Sequence, residues 1–255
     1  MRNIRVIARL DIKNNYLIKG IHLEGLRKVG DPHEFSKKYY NQNIDEILYM
    51  DAVASLYGRN SLLDLIKRVS RDVFIPLTVG GGIRSIHDAT EILRSGADKI
   101  AINTAAIKDP SLIESLSKRF GAQCIVLSVE AKRKSDHTWE AMTDNGREHS
   151  GLDVIDWVRE ACTLGAGEVL VTSIDNEGTR KGFDVELMRQ VSTSVTVPII
   201  ASGGFGKNQD LVDVVKIADV NAVSIAHDLH YAKTTIDEVK NYAIENGINL
   251  RRNIL

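Results

Sequence analysis

Short apolar runs rich in β-branched residues recur along the chain: "IRVIARL" (4–10), "IDEILYM" (44–50), "VFIPLTV" (73–79), "DKIAI" (98–102), "CIVLSV" (124–129), "GEVLVTS" (167–173), "VTVPIIA" (195–201) and "VNAVSI" (220–225). Between them lie stretches such as "SLLDLIKRVSRD", "SIHDATEILRSG", "DPSLIESLSKRFG" and "GLDVIDWVREACTLG", in which apolar positions return at helical spacing. Their boundary residues agree with helices. Asp109 and Pro110 stand in an N-cap and first-turn arrangement, and Gly96, Gly121 and Gly165 follow last turns. Runs that are apolar throughout predict strands buried on both faces, as in a parallel sheet covered by helices. Eight such strands alternating with eight helices predict an α/β fold, a single (β/α)8 TIM barrel domain over residues 1–255.

The pattern also repeats once. "RVIARLD", ending at Asp11, matches "CIVLSVE", ending at Glu130, and "ILYMDAVAS" matches "VLVTSIDNEGT". "IPLTVGGGIRS" matches "PIIASGGFGKN", and "KIAINTA" matches "NAVSIAH", all at offsets of about 120 residues. Two similar half-barrels, about 1–120 and 121–255, account for this. Chemistry in such barrels sits where strands end and the following loops begin. Asp11 and Glu130 therefore face one another across the mouth. The segment 12–30 is far longer than an ordinary connection and predicts a flap over that mouth. Asp144-Asn145-Gly146, after "HTWEAMT", predicts a hairpin inserted behind the fifth strand.

Glycine turns lead into two of the helices. A turn without Cβ atoms lets backbone N–H groups approach an anion, and a helix N-terminus behind it favours negative charge. "VGGGIRS" precedes the helix at 85–95, and "SGGFGKN" precedes the one at 207–217. Small polar residues close each site at the next strand end, Asn103 and Thr104 in one half and Ser224 to His227 in the other. The matched pair predicts two phosphate sites, against the alternative that these glycines only make tight turns. A ligand with a phosphate at each end fits. Asp11 and Glu130 between the two sites suit general acid–base work, against a merely capping or ion-pairing role. Lys19, in the flap, either meets a phosphate or lies solvated.

Composition changes this picture little but narrows it. The apolar fraction of 43% and charged fraction of 26% are those of an ordinary globular domain. A net charge of -1 leaves no electrostatic footprint for nucleic acid or an anionic membrane, so an anionic ligand must be caught locally. The first residues lack an apolar leader, and no run is long enough to span a bilayer, which predicts a cytoplasmic protein. The two cysteines, Cys124 and Cys162, read as buried thiols rather than a disulfide or metal pair. His227 and His230 stand three apart without further ligands in a recognisable motif, so no metal and no cofactor is expected.

Taken together, "RLDIK...LIKGIHLEGLRKVGDP", "DEILYMDAVAS", "TVGGGIRS", "GADKIAINTAAI", "GAGEVLVTSIDNEGT" and "IIASGGFGK" resemble the cyclase subunit of imidazole glycerol phosphate synthase, the HisF family, over essentially the whole chain. The resemblance implies a heterodimer with a HisH-type glutaminase on the N-terminal face of the barrel, and ammonia passing along its axis. There it would meet a doubly phosphorylated ribulosyl aminoimidazole carboxamide, giving imidazole glycerol phosphate and the aminoimidazole carboxamide ribotide. By the same resemblance, Asp11 and Glu130 are catalytic. Lys19, Gly81, Gly82, Asn103, Thr104, Glu177, Gly178, Gly203, Gly204 and His227 bind the substrate and its phosphates, Arg5, Glu46, Lys99 and Glu168 form an ammonia gate, and Asp98 touches the glutaminase.

Departures from the family pattern cluster at the mouth. Glu130 and Glu177 stand where aspartates are usual, Arg9 where a cysteine is usual, and His227 where a serine is expected. An intact gate with a retuned mouth leaves two alternatives open. One is a paralogue that delivers ammonia to a sugar amidotransferase for amidination of a surface-polysaccharide sugar. The other, the related barrel isomerase that also takes a two-phosphate ligand, is disfavoured by the gate residues.

Overall fold

In the computed structural model, which describes residues 3–53 and 62–251, all eight apolar runs contribute a barrel strand. The strands are β1 (Arg5–Lys13), β4 (Glu46–Asp51), β5 (Leu77–Gly80), β6 (Lys99–Ile102), β7 (Ile125–Ser135), β10 (Glu168–Ser173), β11 (Ile199–Ser202) and β12 (Ala222–Ile225). Each is parallel to both neighbours, and β12 closes onto β1 through the register Arg5↔Ala222 to Ala8↔Ile225. Helices α1 (Pro32–Asn41), α2 (Leu63–Val69), α3 (Ile86–Arg94), α5 (Ser111–Phe120), α6 (Val154–Thr163), α7 (Val185–Ser194), α8 (Asn208–Ala218) and α10 (Ile236–Glu245) cover the outside. The matching residues 54 and 55 of "ILYMDAVAS" lie outside the described residues.

Strand alternation sorts the core in two. Val6, Ala8, Leu10 and Ile12 of β1, with Ile47, Ile100, Leu127, Val169 and Val223, point outward into the large cluster shared with the helices. Ile7, Leu48, Met50, Ala101, Val126, Leu170, Ile200 and Ala222 form a separate cluster that fills the bore. The side-chain period of two in a strand is the cause. Functional positions follow from it: Arg5, Arg9 and Asp11 share the inward face of β1 with Ile7.

Three expectations need adjustment. The segment 12–30 is no irregular loop: β1 runs past the barrel rim to Lys13 and turns into the antiparallel ribbon β2 (Tyr16–Ile21) and β3 (Glu24–Gly30). The runs at 73–79 and 195–201 enter the sheet late, at Leu77 and Ile199, each directly after a proline. Pro76 and Pro198 offer their carbonyls to Ile47 and Val169, but having no N–H they cannot continue the ladder. Pro110 sits one residue ahead of α5, while Asp109 still accepts from the Ser111 N–H at 3.1 Å.

The inserted hairpin is present and larger than expected. β7 extends beyond the rim and pairs with β8 (Thr138–Thr143), which pairs with β9 (Glu148–Asp153) across the turn at Asp144-Asn145-Gly146. Units 4 and 8 each carry an additional short helix directly at the strand end, α4 (Thr104–Lys108) and α9 (His227–His230). Cys124 and Cys162 are free thiols, and burial pushes Cys162 up to about 11. Among the described residues, no helix is long and apolar enough to cross a membrane, and no group of histidine, cysteine, aspartate or glutamate side chains is arranged to hold a metal.

Candidate active site at the barrel mouth

Asp11 and Glu130, the last inward residues of β1 and β7, are both buried at the C-terminal end of the bore, on strands opposite one another in the ring. Their surroundings differ. Asp11 Oδ1 accepts from Arg9 Nε at 2.8 Å, and Lys19 Nζ lies 3.5 Å from Oδ2. Burial alone would raise the Asp11 carboxyl, but these two cations hold it below the ordinary carboxylate range. Glu130 accepts from Asn103 Nδ2 at 3.0 Å and from the Gly146 N–H, and Arg9 also favours its anion. Burial outweighs them and pushes it up to about 7. One carboxyl is thus an anion and the other is poised to hold a proton, a division of labour suited to acid–base chemistry.

The first glycine turn lines a cavity of about 300 Å³, together with Asp51, Asn103, Thr104, Glu130 and Asn145. Gly81 has φ +99°, and a Cβ there would come within 2.5 Å of the Asp51 carbonyl oxygen, so no other residue fits this turn. The helix behind it, α3, is capped by Ser85, whose hydroxyl accepts from the Asp88 N–H. Asn103 Oδ1 is buried without a hydrogen-bond partner in the structure. Thr104 is already engaged: its hydroxyl accepts from the Asp144 N–H at 2.9 Å and pins the hairpin turn to the rim.

The second glycine turn is shaped alike but nearly closed. Gly203 and Gly204 have φ +91° and +109°, and a Cβ on Gly204 would collide with the Gly182 carbonyl. The space they border with Arg9, Lys19, Glu177, Ser224 and His227 is only about 20 Å³. Ser224 Oγ is buried there without a hydrogen-bond partner. His227 is held on Asp228 at 2.9 Å, and Arg180 in turn binds Asp228 at 2.7 Å.

Lys19 is not solvated. It is buried, paired with Glu177 and close to Asp11, and these anions raise it against the opposing effect of burial. The ribbon that carries it is clamped to the loop after β10 by the His22 N–H to Glu177 carbonyl bond at 2.8 Å. Gly178, with φ +73°, permits the approach, since a Cβ there would stand 2.5 Å from the Gly20 carbonyl oxygen.

At the opposite end of the bore, Arg5, Glu46, Lys99 and Glu168, each the first residue of its strand, close a ring of alternating charge. Arg5 meets Glu46 at 2.7 Å and Glu168 at 2.5 Å, while Lys99 meets Glu168 at 2.8 Å and Glu46 at 3.4 Å. Asp98 lies on the same floor beside a groove of about 350 Å³ lined by Val69, Phe74 and Leu77, with its carboxylate accepting from the Leu77 N–H at 2.8 Å.

Sequence reasoning named Arg9 and His230 but not their partners, and missed Gly146 as a site residue. Arg9 reaches Thr172 Oγ1 at 2.8 Å and Ser202 Oγ at 3.1 Å, contacts that only the inward register of β10 and β11 foretells. Gly146 N–H on Glu130 depends on how the inserted hairpin folds back. His230, buried, bonds the Tyr39 hydroxyl through Nδ1 at 2.7 Å. Burial and the nearby Lys19 push it down to about 3, so it stays neutral.

The family model described as "Histidine biosynthesis protein" matches residues 5–235. Among curated proteins, the imidazole glycerol phosphate synthase subunit HisF of Legionella pneumophila is 62% identical over 210 residues, covering 82% of this chain and 99% of that protein. The HisF subunit of Lactococcus lactis subsp. lactis is 46% identical, covering 97% of this chain and 96% of that one, and that of Prochlorococcus marinus is 42% identical over 97% of each.

Proposed function

Because the chain belongs to the family of the imidazole glycerol phosphate synthase subunit HisF, we propose that it is the cyclase of such a synthase in histidine biosynthesis. In this reading, a HisH-type glutaminase docks on the floor around Asp98 and the Phe74 groove, in the cytoplasm. Ammonia passes the charged ring and the apolar bore to reach a ribulosyl aminoimidazole carboxamide that carries two phosphates. The two similar halves would then supply one phosphate cradle and one carboxyl each. No cofactor is needed, since addition of ammonia to a ketose carbonyl, loss of water, ring closure and cleavage of the C–N bond to the departing aminoimidazole carboxamide ribotide involve no net redox change and require only proton movements.

The carrying observation is the pair of opposed carboxyls with divergent protonation between two glycine cradles. Asp11, kept anionic by Arg9 and Lys19, withdraws a proton from the attacking nitrogen. Glu130, holding its proton up to about 7, delivers one to the carbonyl oxygen, which becomes the hydroxyl of a carbinolamine and departs as water once the proton taken up from the nitrogen is returned to it. The charged ring supports the ammonia route, because four such groups at a barrel floor are costly unless each is paired.

An assay of the purified barrel with ammonium salt and the ribulosyl substrate tests this. Imidazole glycerol phosphate should form, and Asp11→Asn should reduce kcat by roughly 100-fold or more. No product from the wild type, with Asp11→Asn indistinguishable from it, removes the cyclase reading. The paralogue that hands ammonia to a sugar amidotransferase is favoured by one observation, the near-closed second cradle of about 20 Å³. That same negative result would move the assignment to it.

A further inference from the structure

The Arg9 side chain starts on β1 and ends on hydroxyls of β10 and β11. In the closed ring β10 is three strands away from β1, so the guanidinium lies across most of the bore. It is 2% exposed and stands above the apolar layer of Ile7, Leu170 and Ile200, on the side of the carboxyls, bonded to Asp11. A molecule travelling up the axis from the floor meets it as it reaches Asp11, to which the guanidinium is bonded. The same side chain also borders the second cradle.

That cradle has the parts of an anion site without the room. About 20 Å³ admits one water and no phosphate. Its glycine backbone cannot withdraw, so a side chain must. Lys19 is fixed by Glu177 within the clamped ribbon, and His227 is fixed by Asp228 and Arg180. Arg9 is held by two neutral hydroxyls and by Asp11, a carboxylate that keeps Lys19 at 3.5 Å when Arg9 leaves. A phosphate offers a guanidinium two oxygens in its own plane, a better match than two hydroxyls on different strands.

We propose that Arg9 is a movable ligand for one substrate phosphate: it bars the bore in the conformation described and swings toward the second cradle when that phosphate arrives, opening the ammonia path in the same movement. The proposal rests on the cyclase reading and adds to it a coupling between substrate binding and ammonia delivery. Ammonia supplied as a salt enters from the mouth and bypasses the bar, whereas ammonia from glutamine must pass it.

The test uses the barrel in complex with its glutaminase, and compares Arg9→Met and the double variant Thr172→Val/Ser202→Ala with wild type. For each, the KM of the ribulosyl substrate is measured, and the ratio of glutamine-driven to ammonium-driven kcat is taken with the substrate analogue that lacks the phosphate for the second cradle, because the full substrate swings Arg9 aside in the wild type as well. The ratio cancels any loss of chemistry at Asp11, because both reactions share it. Arg9→Met should raise KM by about tenfold, the scale of one charge-assisted bond, and raise the ratio severalfold. The double variant frees the guanidinium without removing it, so the ratio should rise while KM stays at or below wild type. An unchanged KM or ratio in Arg9→Met overturns the proposal. If Arg9→Met does not fold, an unchanged ratio in the double variant does so alone. Failure of the wild type to make product from either source is a different result, which withdraws the cyclase reading itself.

Discussion

Glu130 and Asp11 carry the same chemical group in equally buried places, yet their surroundings push them in opposite directions. Asp11 has two cations within reach, whereas Glu130 has an amide, a backbone N–H and only the distant field of Arg9. The consequence for rate is an alkaline limb. With kcat expressed per unprotonated ammonia, activity should fall as pH rises through about 7, and Glu130→Gln should lose that limb along with most of its rate. A profile flat from pH 6 to 9 would remove Glu130 from the acid's role. Stability moves the same way: a carboxyl raised on folding contributes fully below its unfolded value of 4.5 and loses that contribution as pH passes about 7. Glu130→Gln should therefore be more stable than wild type above pH 7, by up to about 3 kcal/mol in denaturant unfolding. That carboxyls end β1 and β7 is plain from the sequence. That one stays an anion while the other is pushed up to about 7 depends on the Arg9 bond to Asp11 and on the burial of Glu130, neither of which a spacing in the sequence shows.

The elements show the same division between what a pattern carries and what contact decides. All eight barrel strands follow from apolar runs, and where two of them start late a proline states the reason in the sequence itself. The long first connection, by contrast, alternates too weakly to announce β2 and β3, and its order comes from docking on the loop after β10. Gly178 is the contact point, with a backbone carbonyl where a Cβ would go and φ in the left-handed region. Gly178→Ala should lift the ribbon, separate Lys19 from Glu177 and raise the substrate KM by roughly tenfold or more, with faster tryptic cleavage at Arg27 and Lys28. Unaltered proteolysis and KM would show that the ribbon needs no such seat. Gly204→Ala, which meets the Gly182 carbonyl, should disturb the second cradle while leaving the first intact. Occupancy of the two cradles, read by phosphate titration in NMR, separates these effects.

Across the whole molecule, one end of the bore is built from paired charges and the other from glycine turns and carboxyls, with an apolar layer between. Truncating Glu46 leaves Arg5 and Lys99 each with one partner instead of two. Because both cations are partly exposed at the floor, the cost of Glu46→Ala should be about 2 kcal/mol rather than that of a fully buried charge, and a denaturant midpoint that does not move would contradict the pairing. The barrel's closure and its mouth were legible because strand periodicity and repeat offset are sequence properties, whereas the charged floor was expected only from the family resemblance. The width of the second cradle was not, since it depends on how far Arg9, Lys19 and His227 reach into a shared space.

β1 runs the height of this arrangement in one piece. Arg5 at the floor, Arg9 across the bore and Asp11 at the rim are marks on a single extended ruler about 20 Å long. Inserting or deleting one residue between two of them would leave one facing the bore and turn the other to the outside, so the spacing of Arg5, Arg9 and Asp11 cannot drift in single steps. Adaptation along this strand is confined to exchanging the side chain at a fixed mark, and position 9 is the mark whose exchange alters both the passage below it and the pocket beside it.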